Sequence, residues 1–325
     1  MRLMMNILIL SCGTRNKIVQ AFKKELGDAG KVFATDCSEL APALYDADDY
    51  FIVPREDAEG YLEVILSICK ENKVAAVLSL IDPELSLLAE NRKRFLEIGT
   101  LPIVSGYEEV EMCFDKYRMF RFLKENGFRT VQSYRDRANF QAAVETGQAT
   151  YPVFVKPVKG SASININKVS SEAELDLMLN RHEGMLIQEF MDGTEYGADV
   201  YIDMISGEVV SIFIKEKIKM RAGETDKSVS VKDDALFAMI KQMAEKAGFR
   251  GIIDIDIFQV AGQYYISEVN PRFGGGYPHA YACGINVPKM IFNNISGTIN
   301  EAAIGDYKEN IYMMKYNEVK IMDRN

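Results

Sequence analysis

Histidine and cysteine are scarce in this chain of 325 residues. His182 and His279 are the sole histidines, too few for a multi-histidine metal centre. The five cysteines (Cys12, Cys37, Cys69, Cys113 and Cys283) are odd in number and widely dispersed, with no CxxC pair. That pattern offers neither a zinc site nor a disulfide framework, and free thiols in a reducing compartment are expected. Positive charge is in deficit too: 38 Lys and Arg against 47 Asp and Glu give a formal net charge of −9. Nucleic-acid binders usually carry a basic surface, so that class is disfavoured, although a local basic pocket for a phosphorylated small ligand is allowed. No apolar run reaches the length of a membrane span. The opening stretch MRLMMNILILSCG carries only a short apolar run, and it reads as a buried first strand rather than a signal segment. A cytoplasmic protein without membrane partners is therefore expected. The GxGxxG fingerprint is missing after that strand, where Ser11-Cys12-Gly13-Thr14-Arg15 stands instead, so a dinucleotide site is not supported. Internal repeats and low-complexity segments are absent as well.

What is present is an ordinary globular composition, 48% hydrophobic and 26% charged, in a chain long enough for about two domains. The first third alternates strands and helices. Apolar runs at residues 5–11, 31–35, 50–53 and 73–80 read as strands, and helical spacing marks residues 16–26, 58–70 and a stretch from near Pro83 to about Glu97. Such alternation predicts a parallel α/β layer of Rossmann type. Its strand-end loops make Thr14, Arg15, Asp36 and Asp82 candidates for ligand contact, with turn or capping roles equally open. After about residue 113 the pattern changes to α+β. A helix is expected over 115–126, a strand over 151–155, a helix over 172–180 and a strand over 185–190. A hairpin is expected around Ser206-Gly207, and a helix over 233–247 capped by Asp233 or Asp234 and ended by Gly248.

The most informative segment is GIIDIDIFQVAGQYYISEVNPRFGGG, residues 251–276. Two β-patterned runs flank Ala261-Gly262-Gln263, a short glycine-containing loop. A hairpin centred on Gly262 sets Asp256 opposite Glu268 and Asp254 opposite Asn270, all on one face. Facing carboxylates destabilise a sheet unless a cation neutralises them. Mg²⁺ takes carboxylate and amide oxygens and keeps positions open for phosphate. Arg272, a phosphate or carboxylate clamp, and the glycines Gly274 to Gly276 follow directly. Upstream, Lys156-Pro157-Val158-Lys159-Gly160-Ser161-Ala162-Ser163 places a lysine at a strand end before a small, hydroxyl-rich loop that can present N–H groups to phosphate.

Taken in order, these motifs resemble the ATP-grasp superfamily, in the branch similar to carbamoyl-phosphate synthase large chain. Asp115-Lys116, Lys156-Pro157, the Gly160 to Ser163 loop, Gln188-Glu189-Phe190-Met191, Gly193-Thr194-Glu195 and Glu268-Val269-Asn270-Pro271-Arg272 carry the resemblance. It implies an α/β plus α+β chain. A Rossmann-like pre-ATP-grasp domain (1–113) precedes a nucleotide-binding domain made of a mobile lid subdomain (114–188) and a catalytic subdomain with tail (189–325). The resemblance further implies that Lys116 and Lys156 contact ATP phosphates and that Gly160, Ser161, Ala162 and Ser163 cover them. It implies that Glu189 and the Phe190-Met191 backbone line the adenine pocket and that Glu195 holds the ribose. Asp256, Glu268 and Asn270 are implied Mg²⁺ ligands, with Mn²⁺ as an alternative ion. By the same resemblance Arg272 is implied to face the transferred phosphoryl group, and Arg221 to serve phosphate or a substrate carboxylate. The loop departs from many relatives in having Ala162 and Asn165 where they have glycine, and Asp256 stands where the synthase carries Gln. With one grasp unit and no glutaminase or biotin-carrier segment, carbamoyl phosphate synthesis itself is not implied.

The activity implied is an ATP-dependent ligase that makes an acyl phosphate from a small-molecule carboxylate and joins it to an amine, releasing ADP and phosphate. A homodimer is common among relatives. A non-catalytic ATP-binding module and an enzyme using a non-amine nucleophile stay open as alternatives. His279 could be a general base or a hydrogen-bonded loop residue.

Overall fold

Three sheets organise the computed structural model, which describes residues 5–160 and 166–323. The first is parallel, with strand order β3-β2-β1-β4-β5, built from β1 (Asn6–Leu10), β2 (Val32–Asp36), β3 (Asp49–Ile52), β4 (Val74–Ser79) and β5 (Leu101–Pro102). Helices α1 (Asn16–Leu26), α2 (Tyr61–Glu71), α3 (Asp82–Glu90) and α4 (Arg92–Glu97) connect its strands. Strand β1 is buried along its whole length. Its side chains alternate between two cores, with Ile7 and Ile9 packed in the cluster of Ile18 and Phe22 of α1. Leu8 and Leu10 pack in the cluster of Ile65 and Cys69 of α2. Burial on both faces explains the unbroken apolar run. The single helix expected from Pro83 to Glu97 is interrupted at Asn91, whose side-chain amide donates to Leu87 O at 3.0 Å and ends the first turn series.

Helices α5 (Tyr107–Phe114) and α6 (Lys116–Glu125) lead into the second sheet. Its strands are β6 (Ser133–Tyr134), β7 (Val153–Pro157), β8 (Asn167–Val169) and β9 (Met185–Glu189), in the order β6-β9-β7-β8. Helices α7 (Arg137–Glu145) and α8 (Glu172–Arg181) cover one face. Val153, Val155, Val169 and Ile187 pack there with Phe140 and Leu175. By the twofold alternation of strands, Phe154, Lys156, Lys168 and Gln188 occupy the opposite face.

The third sheet is antiparallel, in the order β14-β13-β10-β11-β12-β15. It comprises β10 (Thr194–Ile202), β11 (Val209–Arg221), β12 (Glu224–Val231), β13 (Gly251–Val260), β14 (Gln263–Asn270) and β15 (Tyr312–Met314). Ala198, Val200, Ile212, Ile253, Ile255 and Ile257 form a dry face against Leu236, Ile240 and Met243 of α9 (Asp234–Ala247). As expected, the Asp233 carboxylate caps α9 by accepting from Leu236 N at 2.8 Å, a contact of roughly 1 kcal/mol, and Gly248 closes the helix at φ +79. Two helices not foreseen in the sequence, α10 (Tyr277–Ala282) and α11 (Val287–Ile295), close this region. The five cysteines are free thiols.

Candidate active site

The opposite face of the third sheet is polar because its strands alternate aliphatic and charged residues in register. Cross-strand pairing puts Asp256 opposite Glu268 and Asp254 opposite Asn270. The same face continues through Gly197 and Asp199 of β10, which pair with Asp256 and Asp254. The acid register expected from the sequence is therefore present, but it arises differently. The turn is the two-residue Ala261-Gly262, at φ +49 and +75, rather than a three-residue loop. Both positive φ values suit the tight hairpin turns whose twist matches the strands. A bulge then makes the pairing step from Glu268 directly to Ile266, and the extra residue restores the register at the acids.

Two lysines of β11 neutralise this face. Lys217 Nζ donates to Glu195 Oε1 at 2.7 Å and to Asp256 Oδ1 at 2.5 Å, with only 4% of its side chain exposed. Burial pulls its pKa down, but the charges of Asp256, Glu195 and Asp254 outweigh this and hold it above the ordinary range. Lys215 Nζ donates to Asp199 at 2.5 Å in a pair that is 1% and 0% exposed. Gly197 makes room for both stems: a Cβ there would stand 3.0 Å from Lys215 Cε and 3.1 Å from Lys217 Cε. Asp254, half-buried, is pushed up to about 7, first by desolvation and then by the charge of Asp256.

The second sheet closes over these acids. Lys156 Nζ, buried, lies 3.6 Å from Glu268 Oε2. Lys116, at the start of α6, donates from Nζ to Gly160 O at 2.6 Å. Its pKa is lowered by burial, partly offset by Glu268 and reinforced by Lys156, so these three groups converge. The Phe190 ring packs at a tilt against Phe154, centroids 5.4 Å apart, and Lys168 Nζ lies 3.7 Å over the Phe190 ring. Arg272 makes a two-pronged contact with Asp82, Nε to Oδ1 at 3.0 Å and Nη2 to Oδ2 at 3.2 Å, and its Nη2 also reaches Asn270 Oδ1 at 3.4 Å. Burial works against the Arg272 charge, yet Asp82 and Asp254 hold its pKa up.

The structure thus brings together Lys116, Lys156, Glu195, Asp256, Glu268, Asn270 and Arg272. Two implied residues lie apart. Glu189 pairs with Val153, so its side chain shares the helix-covered side of the second sheet and lines a small cleft with Gln132, Tyr134 and Gln148. Arg221 sits at the end of β11, 2.9 Å from Asp226 Oδ1 and half exposed. Ser161, Ala162, Ser163 and Asn165 lie outside the described residues. The glycines have an unexpected role: a Cβ at Gly274 would stand 2.3 Å from Asp254 Cγ. At Gly275 it would stand 2.8 Å from Arg15 Nη1, and at Gly276 2.5 Å from Lys215 Cε. The run makes room for the protein's own charged side chains. His279 is a structural residue. Its Nε2 lies 2.9 Å from Ile311 O, which can only accept, so Nε2 carries the proton and Nδ1 accepts from Ser228 Oγ at 2.8 Å.

Among the described residues, no group of three or more His, Cys, Asp or Glu side chains is arranged to hold a metal ion. Asp256, Glu268 and Asn270 offer two carboxylates and one amide, a set that suits Mg²⁺ when a ligand's phosphates supply further oxygens. The Lys217 ammonium beside Asp256 shows that this face already accommodates positive charge.

A parallel-sheet domain followed by two sheets closing on a row of acids, lysines and an arginine defines a nucleotide-binding clamp. The chain belongs to the ATP-grasp family: residues 113–276 match the ATP-grasp domain. Residues 7–103 match the PylC-like N-terminal domain. The chain is 24% identical over 65% of its length to the arginine-specific carbamoyl phosphate synthase large chain of Geobacillus stearothermophilus, of which it covers 21%. It is 26% identical over 60% of its length to the vancomycin/teicoplanin A-type resistance protein VanA of Enterococcus faecium, of which it covers 64%. It thus spans about a fifth and just under two thirds of these relatives. Among solved structures, the biotin carboxylase domain dimer of Hydrogenobacter thermophilus 2-oxoglutarate carboxylase, in complex with MgADP, ADP and bicarbonate, aligns with TM-score 0.77 at 17% identity. That alignment covers 96% of this chain and 74% of the other. The Staphylococcus aureus N5-carboxyaminoimidazole synthetase complexed with ADP aligns with TM-score 0.73 at 18% identity, covering 93% and 80%. At these identities the likeness is one of fold.

Proposed function

We propose that the protein is an ATP-dependent carboxylate–amine ligase. The observation that carries this reading is the approach of Lys156 on one sheet to within 3.6 Å of Glu268 on the facing sheet, beside its cross-strand partner Asp256. The nucleotide lies between the two sheets. Lys116 and Lys156 bind its phosphates, together with the Gly160 to Ser163 loop. Glu195 takes the ribose hydroxyls, and the Phe190-Met191 backbone borders the base. Asp256, Glu268 and Asn270 would hold Mg²⁺, with Mn²⁺ as a substitute, and the ion when bound supplies charge to the phosphate oxygens. Arg272, its plane fixed by Asp82, faces the phosphoryl group in transfer. A carboxylate oxygen attacks the γ-phosphorus of ATP, the bond to the bridging oxygen breaks, and ADP leaves. Lysine and arginine stabilise the charge that develops on the phosphoryl oxygens. An amine then attacks the acyl carbon of the acyl phosphate, phosphate departs, and the amine loses a proton. Closure of the second sheet keeps water from the acyl phosphate.

The same reading carries domain boundaries near 113 and 188, small-molecule substrates, a cytoplasmic setting and a homodimer. Among the described residues, no helix is long and apolar enough to cross a membrane. The test is ADP release measured with paired panels of carboxylates and amines, using Glu268→Ala as control. ADP release that needs both partners and vanishes in the variant is expected. ATP binding without turnover under any pairing would favour a binding module, and full turnover by Glu268→Ala would end the assignment.

A further inference from the structure

The polar face of the third sheet has a direction along its strands. Glu195 lies opposite Phe258, Gly197 opposite Asp256 and Asp199 opposite Asp254. The acid proposed for the ribose stands first, and Asp256, proposed for the cation, stands second. Asp254 stands third, with Asn270 on its other side. Two residues of strand set Asp254 roughly 7 Å beyond Asp256, on the side away from the ribose. On the ligase reading, that is the side where the γ-phosphoryl group meets its acceptor. Four cations act on Asp254 or are acted on by it, and each is committed to another acid. The charges of Lys215 and Lys217 reach Asp254, yet Lys215 pairs with Asp199, and Lys217 with Glu195 and Asp256. The charge of Asp254 reaches Arg15 and Arg272, yet Arg15 pairs with Glu224 and Arg272 with Asp82. Among the described residues, Asp254 itself has neither a hydrogen bond nor an ion pair. It is half-buried, so its carboxyl group is open to an arriving partner. Gly274 leaves it room, since a Cβ there would stand 2.3 Å from Asp254 Oδ1. A cation arriving there also relieves the repulsion between Asp254 and Asp256. A divalent ion would need about six oxygens around it, whereas an ammonium brings three N–H donors and needs no cage.

We infer that Asp254 receives the second substrate as an ammonium ion, and that this substrate is therefore a primary aliphatic amine rather than bicarbonate, a hydroxy acid or an amide. Asp254 is a specificity-determining residue, separate from the groups that hold the nucleotide and the cation. The inference rests on the ligase reading, which calls for an amine without saying how it is recognised.

The test is calorimetric binding to the full chain, in the presence of Mg-ADP, of amines paired with their hydroxyl counterparts: alanine with lactate, serine with glycerate, glutamate with 2-hydroxyglutarate and putrescine with 1,4-butanediol. At least one amine is expected to bind roughly tenfold or more tighter than its counterpart, the discrimination a charge-assisted hydrogen bond supplies. Asp254→Asn keeps the shape and removes the charge, and it is expected to cut that preference by roughly tenfold. Fluorescent Mg-ADP binding by the variant is expected to stay within about threefold of the wild type, because the inferred contact is to the amine. The comparison within the wild type needs no variant and stands even if Asp254→Asn does not fold. Amines that bind no tighter than their counterparts, binding by none of the eight compounds, or a preference that survives in Asp254→Asn would each overturn the inference. So would loss of Mg-ADP binding in a folded Asp254→Asn, which would assign the carboxylate to the cation instead. Failure of the wild type to bind nucleotide would strike the ligase reading.

Discussion

Lys217 gives the sharpest prediction, because it holds the place a cation should occupy. Replacing it with Met keeps the stem that lies over Gly197 and removes only the charge. Glu195 and Asp256 then face each other without compensation, while Glu268 keeps Lys156 at 3.6 Å. Removing one partner of a buried ion pair costs about 3–5 kcal/mol. Here Glu195 and Asp256 remain 26% and 30% exposed, so water relieves part of the penalty. A loss of about 2 kcal/mol is expected, which for a chain of 325 residues lowers the melting temperature by about 3 °C. The charge imbalance also creates affinity for divalent ions. A ligand present at a hundred times its dissociation constant stabilises by about 2.7 kcal/mol, so Mg²⁺ should restore the variant to near wild-type stability. The wild type should gain little from Mg²⁺ without nucleotide, because Lys217 already neutralises the acids. Since the chain has no Trp and 16 Tyr, circular dichroism in EDTA and in Mg²⁺ is the suitable assay. A variant that melts with the wild type in EDTA, or an equal Mg²⁺ response in both proteins, would refute the reasoning.

Further outcomes follow from the same charges. Gly276→Ala would bring a Cβ to 2.5 Å from Lys215 Cε, and Lys215 is locked by Asp199 and cannot swing away. Denaturant titration should show a loss of about 2 kcal/mol, in the range of overpacked cores. Asp82→Asn removes the two-pronged hold on Arg272, so steady-state kinetics should show kcat down by roughly ten- to a hundredfold with the KM for ATP little changed. An unchanged kcat would mean that Arg272 is positioned by other contacts. His279 is lowered from its ordinary 6.5 to about 4, mainly by burial, with Lys215 also disfavouring its charged form. The neutral form is therefore the one the fold favours. This contribution is complete above pH 6.5, declines as pH falls, and is lost by pH 4, for at most about 3 kcal/mol. The pH–stability curve of His279→Asn should be flatter across that window.

The acid ladder was legible because strand parity and a short turn are local rules. Even an error in loop length did no harm, since the bulge between the acids and the turn offset it. The lysines that neutralise the ladder were not legible. Lys215 and Lys217 alternate visibly along β11, but their partners depend on β10 lying between β11 and β13. That neighbour relation is a property of the folded sheet. The Asp82–Arg272 contact spans 190 residues of sequence and joins two domains, so periodicity could not reveal it. Glu189 shows the converse limit: a motif gives a position in the chain, whereas register with Val153 decides which side of the sheet the carboxylate takes. The C-terminal strand β15, which pairs with β12, carries too few residues for a period to be read.

The distribution of paired charges argues that this site is held ready rather than assembled on binding. Buried ion pairs add little to stability, since the cost of removing both ions from water nearly cancels their attraction. Yet Lys215–Asp199, Lys217–Asp256 and Arg272–Asp82 all lie in one region, and the glycine run gives up side chains to admit Lys215 and the neighbouring Asp254. An arrangement so poor in stabilisation has to be accounted for by orientation. Lys217 fixes Asp256 and Asp82 fixes Arg272, which lowers the reorganisation needed when phosphoryl charge develops beside them. The N-terminal parallel-sheet domain takes part in this through Asp82, which holds Arg272. Its strand-end loops therefore belong to the site, and detaching that domain would release the arginine even if the acid hairpin stayed intact.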